Sequence, residues 1–242
     1  MLDITTYRCF APALSRRYRL ALVTDLHNGE YTRLLAAIRG ANADAVVIAG
    51  DLMGRAVHAR ENAYAFLSEA AQTHPVFYAL GNHESLYGAA EHARIRSTGA
   101  VLLVNESCAF GELCIGGIAP DADGVRGAWA QSHAAFLYEF ARTEGFRVLL
   151  CHRPEWYLSF VRDLDIPLML AGHAHGGQVR LFGLPVFSPG QGLFPKYAQG
   201  MHEGRLIVSR GLGNHTIVPR FFNAPELCIV EIGPEGGARG AC

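Results

Sequence analysis

The sequence predicts an α/β fold, and two observations carry that reading. Short apolar, β-branched runs alternate with segments whose apolar residues recur at helical spacing. Five of those runs also hand over to Gly, Asp, Asn or His at their carboxyl ends.

In chain order, Leu20–Thr24 reads as a strand ending at Asp25, followed by a helix over Tyr31–Arg39 with Leu34, Leu35 and Ile38 on one face. Ala45–Ala49 is a strand running into Gly50-Asp51. The helix Glu61–Gln72 carries Tyr64, Leu67 and Ala71 in phase, and the strand Val76–Leu80 ends at Gly81-Asn82-His83. After a helix near Ala89–Arg96 come strand-like pieces at Val101–Val104, Cys108–Phe110 and Leu113–Ile118. The helix Gln131–Arg142 presents Phe136, Leu137 and Phe140. Strands at Phe146–Leu150 and Leu168–Ala171 end at Cys151-His152 and Gly172-His173, and the tail is strand-like at Val179–Phe182, Arg205–Ser209 and Cys228–Ile232. With no repeat, linker or low-complexity tract, residues 1–242 read as a single domain.

Composition removes several classes. At 242 residues, 50% hydrophobic and 18% charged, the chain is not intrinsically disordered. A net charge of −1 gives no electrostatic reason to expect duplex nucleic acid as a partner. Twenty of the 21 basic residues are Arg. The one lysine, Lys196, stands between Pro195 and Tyr197, which excludes a Gly-Lys-Ser/Thr phosphate loop and lysine Schiff-base chemistry. Six scattered cysteines form no Cys-x-x-Cys pair and read as buried free thiols. No apolar run reaches the ~18–20 residues of a spanning helix, and the first twenty residues lack a signal-peptide stretch. The expected compartment is the cytoplasm.

The strand ends carry the chemistry: Asp25-Leu26-His27, Gly50-Asp51, Gly81-Asn82-His83-Glu84, His152, and Gly172-His173-Ala174-His175-Gly176-Gly177-Gln178. A lone His or Asp at a strand end is usually a turn or cap residue. Five in series at the same end of five strands are not independent accidents, because ligands of α/β sheets collect outside the carboxyl ends of strands. Two carboxylates, an amide and several imidazoles form a mixed O/N donor set. Such a set suits Mn²⁺, Fe²⁺ and Zn²⁺ better than Ca²⁺ or Cu⁺. No Gly-x-Ser-x-Gly is present, and Gly211-Leu212-Gly213 continues as Asn-His-Thr, so serine-hydrolase and dinucleotide readings fail on the motif.

This ordered set resembles the calcineurin-like metallophosphoesterase superfamily, and the ending Gly-His-x-His-Gly-Gly-Gln resembles its YkuE/YaeI-type phosphodiesterase branch, as does the segment Ser209–Glu226. The resemblance implies a four-layer α/β-β/α sandwich of two facing mixed sheets. It implies two divalent metal ions, Mn²⁺ first, with Fe or Zn²⁺ as alternatives. Asp25, His27, Asp51 and His175 would hold one ion. Asp51, Asn82, His152 and His173 would hold the other, with Asp51 bridging. The implied reaction is phosphodiester hydrolysis, by in-line attack on phosphorus of a hydroxide held between the ions. Asp51 and His83 are its catalytic residues, and His83 sits over the phosphate as acid. A phosphomonoesterase, including one acting on phosphoprotein, and a non-catalytic metal-binding scaffold are the rivals.

One departure concerns that acid. Many members read Gly-Asp-x-x-Asp, whose second Asp orients the histidine, but Gly54 stands there, so another carboxylate such as Glu84 would have to serve. Arg55 reads as a surface residue, with phosphate contact as the alternative. The Arg16-Arg17-Arg19 cluster reads as a solvated turn. In the apolar loop Leu181–Tyr197, the residues Phe182, Val186, Phe187 and Phe194 read as packing on the sheet. The alternative is a hydrophobic wall for a lipid-like substrate, or peripheral membrane contact. The expected partner is a small-molecule or lipid-linked phosphoester, and oligomeric state leaves no signature.

Overall fold

The structure is a computed structural model that describes residues 1–54, 60–119, 128–181, 184–188, 191–213 and 220–234. Two six-stranded mixed sheets form its centre. In the first, β2 (Tyr18–Val23), β3 (Ala45–Ala49), β4 (Val76–Ala79) and β5 (Val101–Leu103) run parallel in that order. β16 (Glu226–Gly233) pairs antiparallel with β2, and β1 (Asp3–Phe10) lies parallel to β16 as the edge. In the second, β7 (Leu113–Gly117), β8 (Phe146–Leu150), β9 (Leu168–Ala171) and β15 (Leu206–Val208) are parallel. β6 (Glu106–Phe110) and β14 (Gly200–His202) are antiparallel edges.

Side-chain alternation along these strands builds the layers. In β3, Val46 and Ile48 face α1 (Thr32–Gly40) and α2 (Glu61–Ala71), where they meet Leu34, Leu35, Ile38, Phe66 and Leu67. Ile95 of α3 (Ala89–Ser97) joins that cluster. Val47 and Ala49 face the opposite way, toward Ile115, Val148, Leu150 and Leu170 of the second sheet. Beyond that sheet, Leu149 and Met169 meet Leu137 and Phe140 of α4 (Ala128–Phe140). Helix, sheet, sheet and helix are thus sealed by three apolar interfaces, the four-layer sandwich expected. Complete burial of one Leu or Phe there contributes about 1.5–3 kcal/mol.

The inner elements lie where the sequence puts them, and the margins differ. β1 was not anticipated: as an edge strand its side chains alternate between half-buried and exposed up to the buried Cys9, so it lacks a continuous apolar run. A single π-helical turn at Tyr157–Val161 was also unforeseen. The strand expected over Val179–Phe182 is the two-residue β10 (Arg180–Leu181). It turns back into β11 (Leu184–Pro185), and β12 (Phe187–Ser188) pairs with β13 (Gly192–Leu193). Phe182 and Arg55 lie outside the described residues. Phe187 and Phe194 do not pack on the sheet as expected: they are 49% and 77% exposed, because these short hairpins present one side outward. Among the described cysteines, Cys9, Cys114, Cys151 and Cys228 are buried and Cys108 half-buried, all free. The arginine cluster is tied down, with Arg16 on Asp44 and Arg19 on Glu231. Among the described residues, no helix is long and apolar enough to cross a membrane.

Candidate metal centre

The carboxyl ends of β2, β3 and β4 in one sheet face those of β8 and β9 in the other, and the crevice between them collects the residues the sequence singled out. Tight turns deliver them. Asp25, His27, Asp51, His173 and His175 all have positive φ, between 47° and 64°. Left-handed backbone is uncommon for residues other than glycine and costs energy unless the surroundings impose it, so strain concentrated on one cluster points to function. Backbone bonds impose it here. The Asp25 amide donates to Gly50 O and the His27 amide to Asp51 O, both at 3.1 Å, which zips the β2 and β3 turns together. Gly50 has φ +85°, and a Cβ there would stand 2.5 Å from His152 Nδ1, so only glycine fits.

The side chains converge tightly. Asp25 and Asp51 are buried. Oδ1 of Asp25 lies 3.5 Å from His175 Nε2 and 3.9 Å from Nε2 of both His27 and His152. Oδ2 of Asp51 lies 3.2 Å from His152 Nε2 and 3.9 Å from His83 Nε2. The rings of His27 and His83 have centroids 4.7 Å apart, and those of His152 and His173 stand 5.0 Å apart. Three sets have ligand atoms within 4.8 Å of one another: Asp25 with His27 and His175; Asp51 with His152 and His173; and His27 with Asp51 and His83. Asn82 heads the 3₁₀ turn Asn82–Glu84 on the β4 side.

Electrostatics shows what such a cluster needs. Burial holds His27 and His173 neutral, down to about 3 each, so neither imidazole supplies positive charge. For His152, burial would act downward, but Asp51 and then Asp25 outweigh it and raise the group to about 10. Its Nδ1 bonds Ala49 O at 2.8 Å. A carbonyl only accepts, so Nδ1 carries a proton and Nε2 is the atom turned toward Asp51. Asn82 Oδ1, on a residue that lines one cavity with His152, and His173 Nε2 are buried with no hydrogen bond. Buried polar atoms left unpaired in a site that holds two buried carboxylates are costly without a cation. Carboxylate, amide oxygen and imidazole are the donors that borderline divalent ions prefer, so the residues present fit a metal.

Sequence reasoning missed the supports around the cluster. Glu84 was a possible stand-in for the absent Asp at position 54. Instead its carboxylate accepts the amides of Asp51, Gly81 and Met53 and the Tyr78 hydroxyl. That makes it the brace between the β3 and β4 turns. The His83 amide donates to Asp51 Oδ1 at 2.9 Å, so Asp51 itself helps place the histidine's backbone. Arg220, returning from far along the chain, puts Nη2 at 3.3 Å from His175 Nδ1 and at 2.6 Å from Gly213 O. Asn223 Nδ2 donates to His175 O at 2.6 Å. Neither has a local signal, because both act across some 45 residues of chain.

The fold is thus of the four-layer class, with a buried cluster of carboxylates and imidazoles between its two sheets. Within that class the chain belongs to the calcineurin-like phosphoesterase family, whose pattern it matches over residues 18–177. It is 30% identical over 238 residues to an uncharacterized metallophosphoesterase of Campylobacter jejuni, covering 91% of this chain and 60% of that protein. It is 26% identical to a Helicobacter pylori metallophosphoesterase, covering 93% and 62% respectively. Against the phosphodiesterase YaeI of Escherichia coli, identity is 26% over 236 residues, covering 89% of this chain and 82% of YaeI. The chain thus spans about three fifths of the length of the Campylobacter and Helicobacter relatives.

Proposed function

We propose that the chain is a dinuclear metal-dependent phosphodiesterase. The observation that carries this is the double membership of Asp51, which lies in one donor set with His152 and His173 and in another with His27 and His83. A shared carboxylate between adjacent donor sets is what a two-ion centre requires. In this reading Asp25, His27, Asp51 and His175 hold one ion, and Asp51, Asn82, His152 and His173 hold the other. Mn²⁺ is the proposed occupant. Bound there, the ions would supply an acidified water and neutralise charge on the phosphoryl group.

The chain's own groups do the rest. Hydrolysis makes one P–O bond from water and breaks another, and the departing alkoxide needs a proton. His83 is the group for it: its side chain is 12% exposed, against 2% for His27 and 4% for His152, so it faces whatever enters the crevice. Arg220 and Asn223 keep the His175 loop in place. The likeness to YaeI, named a phosphodiesterase, supports the diester over the monoester.

The test is turnover of bis(p-nitrophenyl) phosphate by metal-stripped protein reloaded with Mn²⁺, beside p-nitrophenyl phosphate. Metal-dependent diester turnover exceeding monoester turnover is expected. Dominant monoester turnover would make the protein a phosphomonoesterase, and silence on both with metal bound would make it a scaffold.

A further inference from the structure

The hairpins that follow the His175 loop, and the Phe221–Phe222 segment that bridges to Val179, carry large apolar side chains into solvent. Leu184 is 68% exposed, Leu193 68%, Phe194 77%, Phe221 52% and Phe222 89%, and Phe187 is half out. Scattered surface apolar residues need no account, but these come from backbone segments that are hydrogen-bonded to one another. Phe187 is directly paired with Leu193 in β12–β13, and the Phe194 amide donates to Val186 O at 2.9 Å. Val186 donates in turn to Val179 O, and Val179 bridges Phe221.

The segments that carry these side chains adjoin the His175 loop. Phe221 donates its amide to Gln178 O, three residues beyond His175, and β12 packs on His175–Gly177. A Cβ on Gly177 would collide with Pro185, so hairpin and ligand loop touch at van der Waals distance. The backbone adds a second observation. Phe194 and Phe222 both sit at φ +52°, a conformation costly for an aromatic residue and kept only where the surroundings enforce it. At both positions the strained backbone carries a phenyl ring that stands in solvent. Among the described residues from 184 to 197, Lys196 alone is charged, so this wall offers a polar substrate little to recognise.

We propose that the substrate of this centre is an amphiphilic phosphoester, its phosphorus at the Asp51 cluster and a long alkyl or isoprenoid chain lying on Leu184, Phe187, Leu193, Phe194, Phe221 and Phe222. The proposal rests on the phosphodiesterase reading and names the substrate class for it. Burial of apolar chain against these rings supplies binding energy that grows with each methylene, so selectivity rises with chain length.

The experiment uses p-nitrophenyl butyl, octyl and dodecyl phosphodiesters below their critical micelle concentrations, with p-nitrophenyl thymidine phosphate beside them, on the Mn²⁺-loaded protein. We expect kcat/KM to rise at least tenfold from butyl to dodecyl. In a Leu193→Ser/Phe194→Ser protein the dodecyl-to-butyl ratio should fall below threefold. Both side chains are exposed, so the fold survives, and Leu184→Ser gives an independent second variant. Butyl turnover with a flat chain-length series overturns the amphiphile while leaving the diesterase standing. So does a preference for the thymidine ester, which would make the rings a base platform. Vesicles of phosphatidylglycerol that bind the protein while the series stays flat would make the surface a bilayer contact, and overturn it likewise. Silence on every ester overturns both readings.

Discussion

Glu84 Oε2 accepts the backbone amide of Asp51 at 3.1 Å while Oε1 accepts that of Met53 at 2.8 Å, so one carboxylate braces both sides of the turn that presents the shared ligand. The same two oxygens also take the Gly81 amide and the Tyr78 hydroxyl. Glu84 is fully buried, so every one of those four donors depends on it.

Glu84→Ala therefore strands three amides and a hydroxyl away from water. An unsatisfied buried donor costs about 1–3 kcal/mol, and with partial relaxation the variant should lose about 3–5 kcal/mol. Glu84→Gln offers one oxygen where two were used and turns an NH₂ group toward at least two donors, so it should fall between. Urea midpoints for the three proteins measure this. An alanine variant within 1 kcal/mol of the parent would show that the brace carries no weight.

Asp51→Asn keeps the shape of the side chain but removes the charge that both donor sets share. Turnover should drop by at least about 10³-fold, in line with the loss of a group acting directly on transition-state charge. Far-ultraviolet circular dichroism should be unchanged, and metal content should fall below two per chain by plasma mass spectrometry. Full occupancy with parental turnover would refute the bridging role.

Much of this was legible because the strongest signals are local. Ala45–Ala49 is apolar on both faces, which only a strand buried between layers tolerates, and Asp51 follows within two residues. Gly-His-x-His places His173 and His175 two residues apart just after β9, and left-handed backbone at both turns them into the crevice. What escaped the sequence depends on long-range closure. Arg220 reaches His175 only because β16 returns beside β2, and β1 became visible only through its partner β16. Glu84 reads in the sequence as a carboxylate beside His83, yet its task is set by amides on a turn some thirty residues earlier.

Away from the site, Glu231 offers a pH test. Burial alone would raise its carboxyl, but hydrogen bonds from Arg8 and Arg19 outweigh that and hold it below the ordinary 4.5. A depressed carboxyl stabilises the fold above its unfolded pKa, and the contribution disappears as pH falls through the folded value. The Arg8 and Arg19 side chains are 63% and 38% exposed, so screening limits the gain to about 1 kcal/mol. Glu231→Gln should cost that much at pH 7, and its difference from the parent should shrink as pH drops below 4.5. Denaturation of both proteins at a series of pH values reads it, and a constant difference would sink the assignment.

Metal binding can be tested on stability without any substrate. Asp25 and Asp51 are buried, burial holds His27 and His173 neutral, and His152 is the imidazole the carboxylates keep protonated, so stripping the ions leaves the negative charge incompletely compensated. Binding to the folded state alone raises stability by about 2.7 kcal/mol when the free ion stands at a hundred times its dissociation constant. Mn²⁺ titrated into chelator-stripped protein should therefore raise the thermal midpoint by several degrees, saturably, and Mg²⁺ should do less because it prefers an all-oxygen shell. Asp25→Asn and His173→Ala strike different donor sets, so each should weaken one binding phase and leave part of the shift. A midpoint that ignores Mn²⁺ in the parent would mean that the cluster stays folded on its own hydrogen bonds, and the two-ion reading would fall with it.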